Sequence, residues 1–375
     1  SIVTESNGTV TWGSGNIDVD PMFVDSDNGN YHLLASSQCI NAGHPDSLDS
    51  DGTVADIGAY PYLNTYSGPD WFISESGNDT TATGASEDPF RSIQSGINFS
   101  SDDDSVTVAA GTYVENINFR GRNIKVIGAD RETTVIDGNQ AGRVVTFVNG
   151  EGSTTALKGF TIQNGLALSG AGIYCENSSP LLKGLLVKNN EANDENWNHG
   201  GGISFIAGSA RLENSIINGN LANEQGGGIS FGSDNTVIKD VVIFGNTATT
   251  GGGVGSNGWS KAKFINTSIV DNYGTDNFYS YQEDTLSIIN SIIISNTNNE
   301  ITMGGPGGGV FDISYSNVKN GQDSVLVESG TLEWGSGNID VDPRFVDTDN
   351  GDYHLADWSP CIGTGLDTSI VSSTD

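Results

Sequence analysis

The 375-residue sequence is poor in basic residues, in cysteine and in long apolar runs. Only 15 Lys and Arg stand against 47 Asp and Glu, which gives a formal net charge of −32. This balance excludes nucleic-acid binding and argues against attachment to an anionic membrane. No apolar run approaches the ~20 residues that cross a bilayer, so we expect no transmembrane segment. Cys39, Cys175 and Cys361 are an odd number of thiols, so we expect small buried cysteines and no disulfide framework.

Glycine, by contrast, is plentiful, with 51 residues, and apolar side chains recur in short alternating runs. This composition is neither that of a collagen nor that of a disordered tail, so we expect a folded chain. A module near the start also recurs near the end. The ten residues WGSGNIDVDP occupy positions 12–21 and again 334–343, and the same offset of 322 relates Cys39 to Cys361.

The duplication divides the chain into two regions. The first copy continues to Tyr62, whereas the second diverges after Gly365. We therefore predict residues 1–66 to be the C-terminal tail of an upstream unit, and residues 67–375 to be the next unit with its own truncated tail. The first residues, SIV, are not those of a signal peptide, so we expect a mature chain or a piece of a longer one.

A shorter repeat runs through the larger region. Apolar residues spaced by 25, 30, 26, 26 and 24 positions are each followed five residues later by Ile or Val, and then, from the second row on, by Asn. Such recurrence is typical of a solenoid. The three series are Leu157, Leu182, Leu212, Ile238, Phe264 and Ile288; Ile162, Val187, Ile217, Ile243, Ile269 and Ile293; and Asn190, Asn220, Asn246, Asn272 and Asn296.

The other half of each period distinguishes a β-helix from a leucine-rich repeat. It consists of glycine turns followed by alternating apolar residues, as in GGGISF at 200–205 and 226–231, and it lacks helix formers. Two or three short strands per turn predict an all-β fold, a parallel β-helix solenoid. The inward aliphatic residues would then stack ~4.8 Å apart, and the Asn series would form an amide ladder. A short helix at 88–97 is predicted to cap the open end.

Several stretches carry a family resemblance. They are WFIS at 71–74, DPFRSIQ at 88–94, VTVAAGTY at 106–113, DVDP at 18–21 and DIGAY at 56–60. The first three resemble the N-terminal block of secreted bacterial right-handed β-helix proteins of the pectate-lyase-like superfamily, and the last two resemble the closing tail of such domains. The resemblance implies a right-handed β-helix in an extracellular or cell-surface protein. Because relatives include lyases, glycoside hydrolases and adhesins, it implies a fold more strongly than an activity.

No catalytic constellation is predicted. Carboxylate pairs, which a glycoside hydrolase needs, are uninformative in so acidic a chain. A calcium-dependent lyase would need Lys or Arg as a base beside a bound cation. The central coils offer Lys158, Lys183, Lys188, Arg211 and Lys239. We interpret the row formed by Lys158, Lys183, Glu213 and Lys239 as a surface ladder and not as a site.

Three acidic turns are candidate calcium sites. Each places carboxylate or amide oxygens around a glycine, which suits a hard cation. Solvated Asx-turns are the alternative interpretation, since none of the turns carries the terminal bidentate Glu of an EF-hand. The candidate ligands are Asp25, Asp27 and Asn28; Asp49, Asp51 and Asp56; and Asp347, Asp349 and Asp352.

Two irregular coils are candidate ligand-binding loops. The longest coil has its extra residues at 193–199, and the coil at 273–284 replaces a glycine corner with aromatics. Exposed aromatics beside carboxylates and amides can stack on sugar faces. The alternative is that these rings pack over the flank of the β-helix. The candidates are Trp197, His199, Tyr273, Asp276, Phe278, Tyr279 and Tyr281.

Together these patterns favour a noncatalytic extracellular module of a larger repetitive surface or secreted protein. It would act as adhesin, spacer or carbohydrate-binding surface, with structural calcium and with a polysaccharide or cell-surface glycan as partner. A calcium-dependent polysaccharide lyase is the first alternative. The second is a fibre in which adjacent copies of the module join end to end.

Overall fold

The protein folds as a coil of short parallel strands whose turns stack on one another. The computed structural model describes residues 13–193, 199–232, 235–295, 297 and 299–367. Equivalent strands of successive turns pair in three long parallel sheets, which gives a parallel β-helix of about nine turns. Within the described ranges, α-helix is confined to Ile93–Phe99. The predicted all-β solenoid is confirmed.

The three sheets are named here in the order in which the chain enters them. Sheet 1 consists of Asp70–Ile73, Ser105–Val108, Lys125–Gly128, Ala156–Lys158, Leu181–Lys183, Arg211–Glu213, Thr236–Lys239, Lys261–Ile265, Thr285–Ile289, Gly309–Ser314 and Gly330–Trp334. Sheet 2 consists of Gly111–Val114, Thr134–Asp137, Thr161–Gln163, Leu186–Lys188, Ile216–Asn218, Val242–Phe244, Ser268–Val270, Ile292–Ile294 and Asn317–Val318. Sheet 3 consists of Ile117–Asn118, Val145–Phe147, Ile173–Glu176, Ile203–Ile206, Ile229–Gly232, Val254–Ser256, Asp276–Tyr281, Asn299–Gly304 and Val325–Val327.

Smaller elements complete the structure. A fourth, three-stranded parallel sheet consists of Leu166–Ala167, Glu191–Ala192 and Leu221–Ala222. Two antiparallel hairpins lie outside the coil, Phe23–Asp25 with Asn30–Leu33 and Phe345–Asp347 with Asp352–Leu355. In the described part of the chain, 3-10 turns are found at Ser26–Asn28, Gly321–Ser324 and Thr348–Asn350.

The predicted apolar series are the stacked columns of the core. Leu157 pairs with Leu182 and the register continues to Ile288 in sheet 1. In sheet 2 the second series pairs in the same way from Ile162 to Ile293. All these side chains are fully buried, and burying each contributes roughly 1.5–3 kcal/mol to folding. At the corners, Gly200 and Gly226 have φ of +69° and +67°, which β-branched residues disfavour.

The Asn residues form the predicted ladder. Asn220 Nδ2 donates to Asn246 Oδ1 at 2.9 Å, and Asn246 Nδ2 donates to Asn272 Oδ1 at 3.0 Å. Asn190 Nδ2 donates to Asn220 Oδ1 in the turn before them. Each amide also bonds backbone groups, so these buried polar side chains are satisfied at a corner where the backbone leaves the sheets. The predicted last member, Asn296, lies outside the described residues.

The capping helix is confirmed, but it begins at Ile93, later than predicted. Phe90, which was expected on the helix, instead bonds as an extended residue: its N–H donates to Phe72 O and its carbonyl accepts from Ser74 N. These bonds form a parallel bridge between Phe90 and Ile73, so the chain is still extended at Phe90 and the helix begins after it. The helix lies among the buried residues of the first turns and of the segment before them.

The cysteine prediction holds for two of three positions. Cys39 and Cys175 are buried, Cys361 is half-buried, and all three are free thiols. No helix in the described ranges is long and apolar enough to span a membrane.

Candidate functional site

The basic residues of the protein are concentrated on one sheet. The six consecutive sheet 1 strands from Lys125–Gly128 to Lys261–Ile265 contain seven of the 15 Lys and Arg of the chain and a single acidic residue, Glu213. Sheets 2 and 3 together contain one basic residue, Lys188, in their strands. We call the outward side chains of these six strands the basic face. Its cations are Lys125, Lys158, Lys183, Arg211, Lys239, Lys261 and Lys263.

The strand register explains how these cations come to share one surface. Lys158 pairs with Lys183 in the next turn, and Lys263 pairs with Val237, which pairs with Arg211. Alternate side chains of a strand point to the same side, so these residues flank the inward Leu and Ile column and point outward. Neighbouring turns are ~4.8 Å apart. Closely spaced cations on one face create a local positive potential in a chain whose net charge is strongly negative.

Glu213 neutralises only part of this face. Lys183 Nζ lies 3.2 Å from Glu213 Oε2, and Arg211 pairs with the other oxygen of the same carboxylate. Burial alone would raise the pKa of Glu213, but the hydrogen bond from Lys183 and the charge of Arg211 lower it below its usual value. Among the described residues, no ion pair is found for Lys158 or Lys261, so their charges remain available to a ligand.

A groove with a volume of about 570 Å³ lies at the C-terminal end of the basic face. Its lining includes Lys261 and Lys263, together with Val237 and the partly exposed Val310. An apolar floor with a few charged groups at its sides is the usual composition of a ligand site.

Two carboxylates lie at the far side of this groove. Lys263, Ser287, Asp312 and Glu333 follow one another in register across four neighbouring strands. Burial, together with the charge of Glu333, raises the pKa of Asp312. The row therefore places one cation two strands away from a pair of adjacent acids.

A larger cavity, of about 1020 Å³, lies between the N-terminal segment and the first turns. Its acids hold backbone amides. Glu115 accepts from Ile93 N at 2.8 Å and from Gln94 N at 3.0 Å, and Asp79 accepts from Arg91 N at 2.9 Å. Burial raises the pKa of Glu115 to about 7, against the opposing effect of these bonds. Because these carboxylates hold the capping helix and the chain before it, we assign this cavity a structural role.

The structure shows where the candidate calcium ligands of the first and third turns lie. Asp25 Oδ1 accepts from Asn28 N at 3.2 Å and Asp25 Oδ2 accepts from Asn28 Nδ2 at 2.8 Å. In the second copy, Asp347 Oδ2 accepts from Asn350 Nδ2 at 2.7 Å, and Asp352 Oδ1 accepts from His354 N at 3.0 Å. These bonds close Asx-type turns in both copies. Asp27 and Asp349 lie within the 3-10 turns, and both are exposed.

The second candidate turn is more heavily bonded. Asp51 accepts from Thr53 and from Asn64 N, Asp56 accepts from Asn41 N and from Tyr62 N, and Asp49 Oδ2 accepts from Asp56 N at 2.9 Å. A cation bound here would have to replace some of these bonds. No group of three or more His, Cys, Asp or Glu suited to a metal is found in the described part of the chain. Calcium stays a prediction.

The fold exposes some residues of the candidate ligand-binding loops and buries others. Tyr273 is 61% exposed and Tyr281 is 38% exposed, while Tyr279 is half-buried. Asp276 is buried and bonds Thr302 and Thr275. Trp197 lies outside the described residues.

The remaining candidates are Phe278 and His199, and both lie close to other side chains. Phe278 is fully buried, with its ring centroid 5.1 Å from that of Phe264 and 5.6 Å from that of Phe311, so the prediction that it belongs to an exposed binding surface is wrong. The alternation of strand Asp276–Tyr281 turns it into the core. His199 is half-buried 4.0 Å from Glu224, and burial lowers its pKa despite that charge.

Sequence reasoning missed the C-terminal half of the basic face. The row from Lys158 to Lys239 is predicted as a surface ladder, whereas Lys261 and Lys263 and the carboxylates of Asp312 and Glu333 are not part of that prediction. A count of charges strand by strand would have shown the segregation. The register that joins these residues across the groove depends on coil lengths that vary from turn to turn.

Comparisons with known proteins identify a matching family and similar solved structures. A family model described as "Protein of unknown function (DUF1565)" matches residues 75–305, more than half of the chain. No curated protein matches the sequence. The solved structure of pectate lyase Pel9A is similar, with a TM-score of 0.52 and 13% identity over 81% of this chain and 93% of that chain.

Two pectin methylesterases also align. The enzyme from carrot has a TM-score of 0.43 at 13% identity, covering 74% of this chain and 84% of its own. PemA from Erwinia chrysanthemi has a TM-score of 0.39 at 12% identity, covering 77% of this chain and 98% of its own. At 13% identity the likeness to Pel9A shows the fold alone, and it confirms the predicted right-handed β-helix.

Proposed function

We propose, from the premise that this chain belongs to the family described as protein of unknown function DUF1565, that it is a noncatalytic β-helix module that binds an acidic polysaccharide on its basic face. The observation that carries the proposal is the charge segregation. Seven of 15 Lys and Arg lie in six adjacent strands, whereas the chain as a whole carries a net charge of −32.

The ligand class follows from the chemistry of this face. A row of ammonium groups recognises a repeating anion, and a polymer of uronic acids presents one carboxylate per sugar. The groove with Val237 and the partly exposed Val310 in its lining adds apolar surface for a sugar ring beside Lys261 and Lys263. The acidic remainder of the protein would repel the polymer and confine it to this face, provided that salt screens the repulsion.

The proposed location and use follow from this ligand. An acidic polysaccharide would be met outside the cell, so we place the module at the cell surface or in the extracellular medium as an adhesin or as a spacer with a binding surface. The name of the similar pectate lyase Pel9A is consistent with an acidic plant polysaccharide as one ligand of this class.

A binding measurement tests the proposal. Isothermal titration of the full chain with oligomers of galacturonic acid is expected to show binding that weakens as sodium chloride is raised from about 50 to 500 mM. A neutral oligomer of equal length, such as a xylan fragment, is the control. Equal binding of the neutral and acidic oligomers, or no binding of either, would contradict the proposal.

A polysaccharide lyase is the second candidate, and one observation favours it. Lys263 lies two strands from the adjacent carboxylates of Asp312 and Glu333 in a single outward row. Such acids could hold a divalent cation against the uronate, and a neighbouring amine could remove a proton. The same oligomers incubated with calcium distinguish the two functions, because a lyase forms unsaturated uronates that absorb in the ultraviolet. We expect no such absorbance.

A further inference from the structure

The repeated module has the same backbone in both copies. In the first hairpin Phe23 pairs with Leu33, and in the second Phe345 pairs with Leu355. The turn glycines of the two hairpins, Gly29 and Gly351, have φ of 78° and 77°. The turns after the hairpins also share their hydrogen bonds, at 3.2 Å from Ile40 N to Ser37 O and at 3.2 Å from Ile362 N to Ser359 O. Differences in exposure between the copies therefore arise from what each copy contacts.

The first copy uses one of its faces to hold the capping helix. We call this the cap-binding face; its residues are Ala35, Ser37, Cys39 and Ile40 in the first copy and Asp357, Ser359, Cys361 and Ile362 in the second. Asn98 on the capping helix donates through Nδ2 to Ala35 O at 2.9 Å and to Ser37 O at 2.8 Å. Ile40 belongs to the same buried cluster as Ile97 of that helix.

The second copy uses a different set of residues to hold the side of the β-helix. We call this the flank-binding face; its residues are Phe23 and Tyr31 in the first copy and Phe345 and Tyr353 in the second. The Tyr353 ring lies 4.8 Å from Phe244 in sheet 2, and its hydroxyl is 3.1 Å from Asp271 Oδ2. Tyr31, the equivalent residue, is 49% exposed.

Each copy thus uses one face and leaves residues of the other face exposed, Tyr31 in the first copy and Ile362 in the second. In the second copy the cap-binding face is open at Ile362, which is 54% exposed where Ile40 is fully buried. Cys361 of this face is half-buried, and its Sγ accepts a hydrogen bond from Asn317 Nδ2 at 3.4 Å. We infer that the module is a two-faced connector, which holds the flank of one β-helix unit and the capping helix of the next at the same time. The occupant of the exposed face at Ile362 is the capping helix of a second unit of this sequence.

The connector gives a structural reason for the predicted division of the chain at residue 66. Residues 13–66 show the connector with its downstream partner, and residues 334–367 show it with its upstream partner. The β-helix units would then be joined at a fixed geometry. This conclusion does not depend on which ligand the basic face binds.

A fused pair of units tests the inference. Residues 1–365 are joined to residues 44–375 of a second copy, so that one module lies between two β-helices, and the terminal Cys361 is replaced by serine. The remaining Cys361 is expected to react with a thiol reagent at least about tenfold more slowly than in the single chain, which corresponds to 1.4 kcal/mol of protection. An unchanged rate would overturn the inference, because a connector must bury this face.

The single chain provides an independent test if the fusion does not fold. Ile40→Asp frees the capping helix from its own module, so Ile362 of another copy can bind it. Light scattering should then show a concentration-dependent rise in mass for Ile40→Asp, and the double variant Ile40→Asp with Ile362→Asp should return to the mass of one chain. Identical masses for the single and double variants would count against a connector.

Discussion

Ile40 and Ile362 stand at equivalent positions of the repeated module, but Ile40 is fully buried while Ile362 is 54% exposed. Equivalent residues of the two copies therefore do not contribute equally to the free energy of unfolding. Placing Asp at position 40 would bury an unpaired charge beside the capping helix, and we expect a loss of roughly 3–5 kcal/mol in the free energy of unfolding. Ile362→Asp should change it by less than about 0.5 kcal/mol. Urea unfolding of dilute protein, followed by circular dichroism, measures both, and equal losses would contradict the assignment.

The Asn ladder offers a second stability prediction. Asn246 Oδ1 accepts from Asn220 N at 3.0 Å, and its Nδ2 donates to Ile217 O at 2.9 Å and to Asn272 Oδ1 at 3.0 Å. Asn246→Ala leaves several of these buried groups unpaired, so we expect a loss of about 2–4 kcal/mol. The exposed Asn193, changed to Ala, is the matched control and should have little effect. Thermal unfolding that is equal for the two variants would show that the ladder does not contribute.

The proposed ligand face is tested by removing charge without changing size. Lys261→Gln combined with Lys263→Gln should weaken binding of galacturonate oligomers by about 5- to 30-fold, since two charge-assisted contacts are lost. Lys188→Gln lies on sheet 2, outside the basic face, and should leave affinity within about twofold. Isothermal titration at low salt gives both values. An equal effect from Lys188→Gln would mean that net charge alone, and not this face, determines binding.

Glu115 makes the stability of the capping helix depend on pH. Burial raises its pKa in the folded protein to about 7, above the ~4.3 of an unfolded chain. The folded state therefore binds the proton more tightly, and stability should fall as pH rises from about 4.5 to 7. Glu115→Gln removes this titration, so the difference in unfolding free energy between wild type and variant should decrease over that interval by about 1–3 kcal/mol.

Urea unfolding at pH 4.5, 5.5 and 7 gives the slope for both proteins. A constant offset is expected from the amide itself, because Gln cannot accept from Ile93 N and Gln94 N with both of its terminal atoms. The informative quantity is the change with pH. A difference that stays flat from pH 4.5 to 7 would show that Glu115 is not the group that titrates.

A feature of the fold can be predicted from the sequence when it is caused by neighbouring residues or by a regular repeat. The columns from Leu157 and Ile162 were predictable because stacking requires the same residue type in every turn, and the pairing follows those series without a slip. The start of the capping helix was not, since Phe90 is held extended by a bond to Phe72 from another segment. Phe278 was misassigned because one residue of register decides whether a side chain points inward or outward.

The candidate site was predictable only in part for a related reason. Single residues such as Lys158 and Lys183 stood out because their spacing matches the repeat. The groove beside Lys263 joins strands of different coils, and its carboxylates follow a row that only pairing reveals. The two roles of the repeated module could not be predicted from the sequence. The two copies have similar sequences and differ in the parts of the protein that they contact.

Calcium bound at the predicted sites would reduce the repulsion between neighbouring carboxylates. Asp49, Asp51 and Asp56 lie close together, and the charges of Asp49 and Asp51, after burial, raise the pKa of Asp56. A bound cation would relieve this repulsion, so calcium at about 5 mM should raise the melting temperature by about 2–3 °C, equivalent to ~2 kcal/mol in a protein of this size. Sodium chloride of equal ionic strength is the control for screening. Asp51→Asn should abolish the calcium-specific part, whereas Asp323→Asn, outside all three turns, should not. If calcium and sodium raise the midpoint equally, the backbone amides that already bind these carboxylates are their only partners, and the turns are Asx-turns.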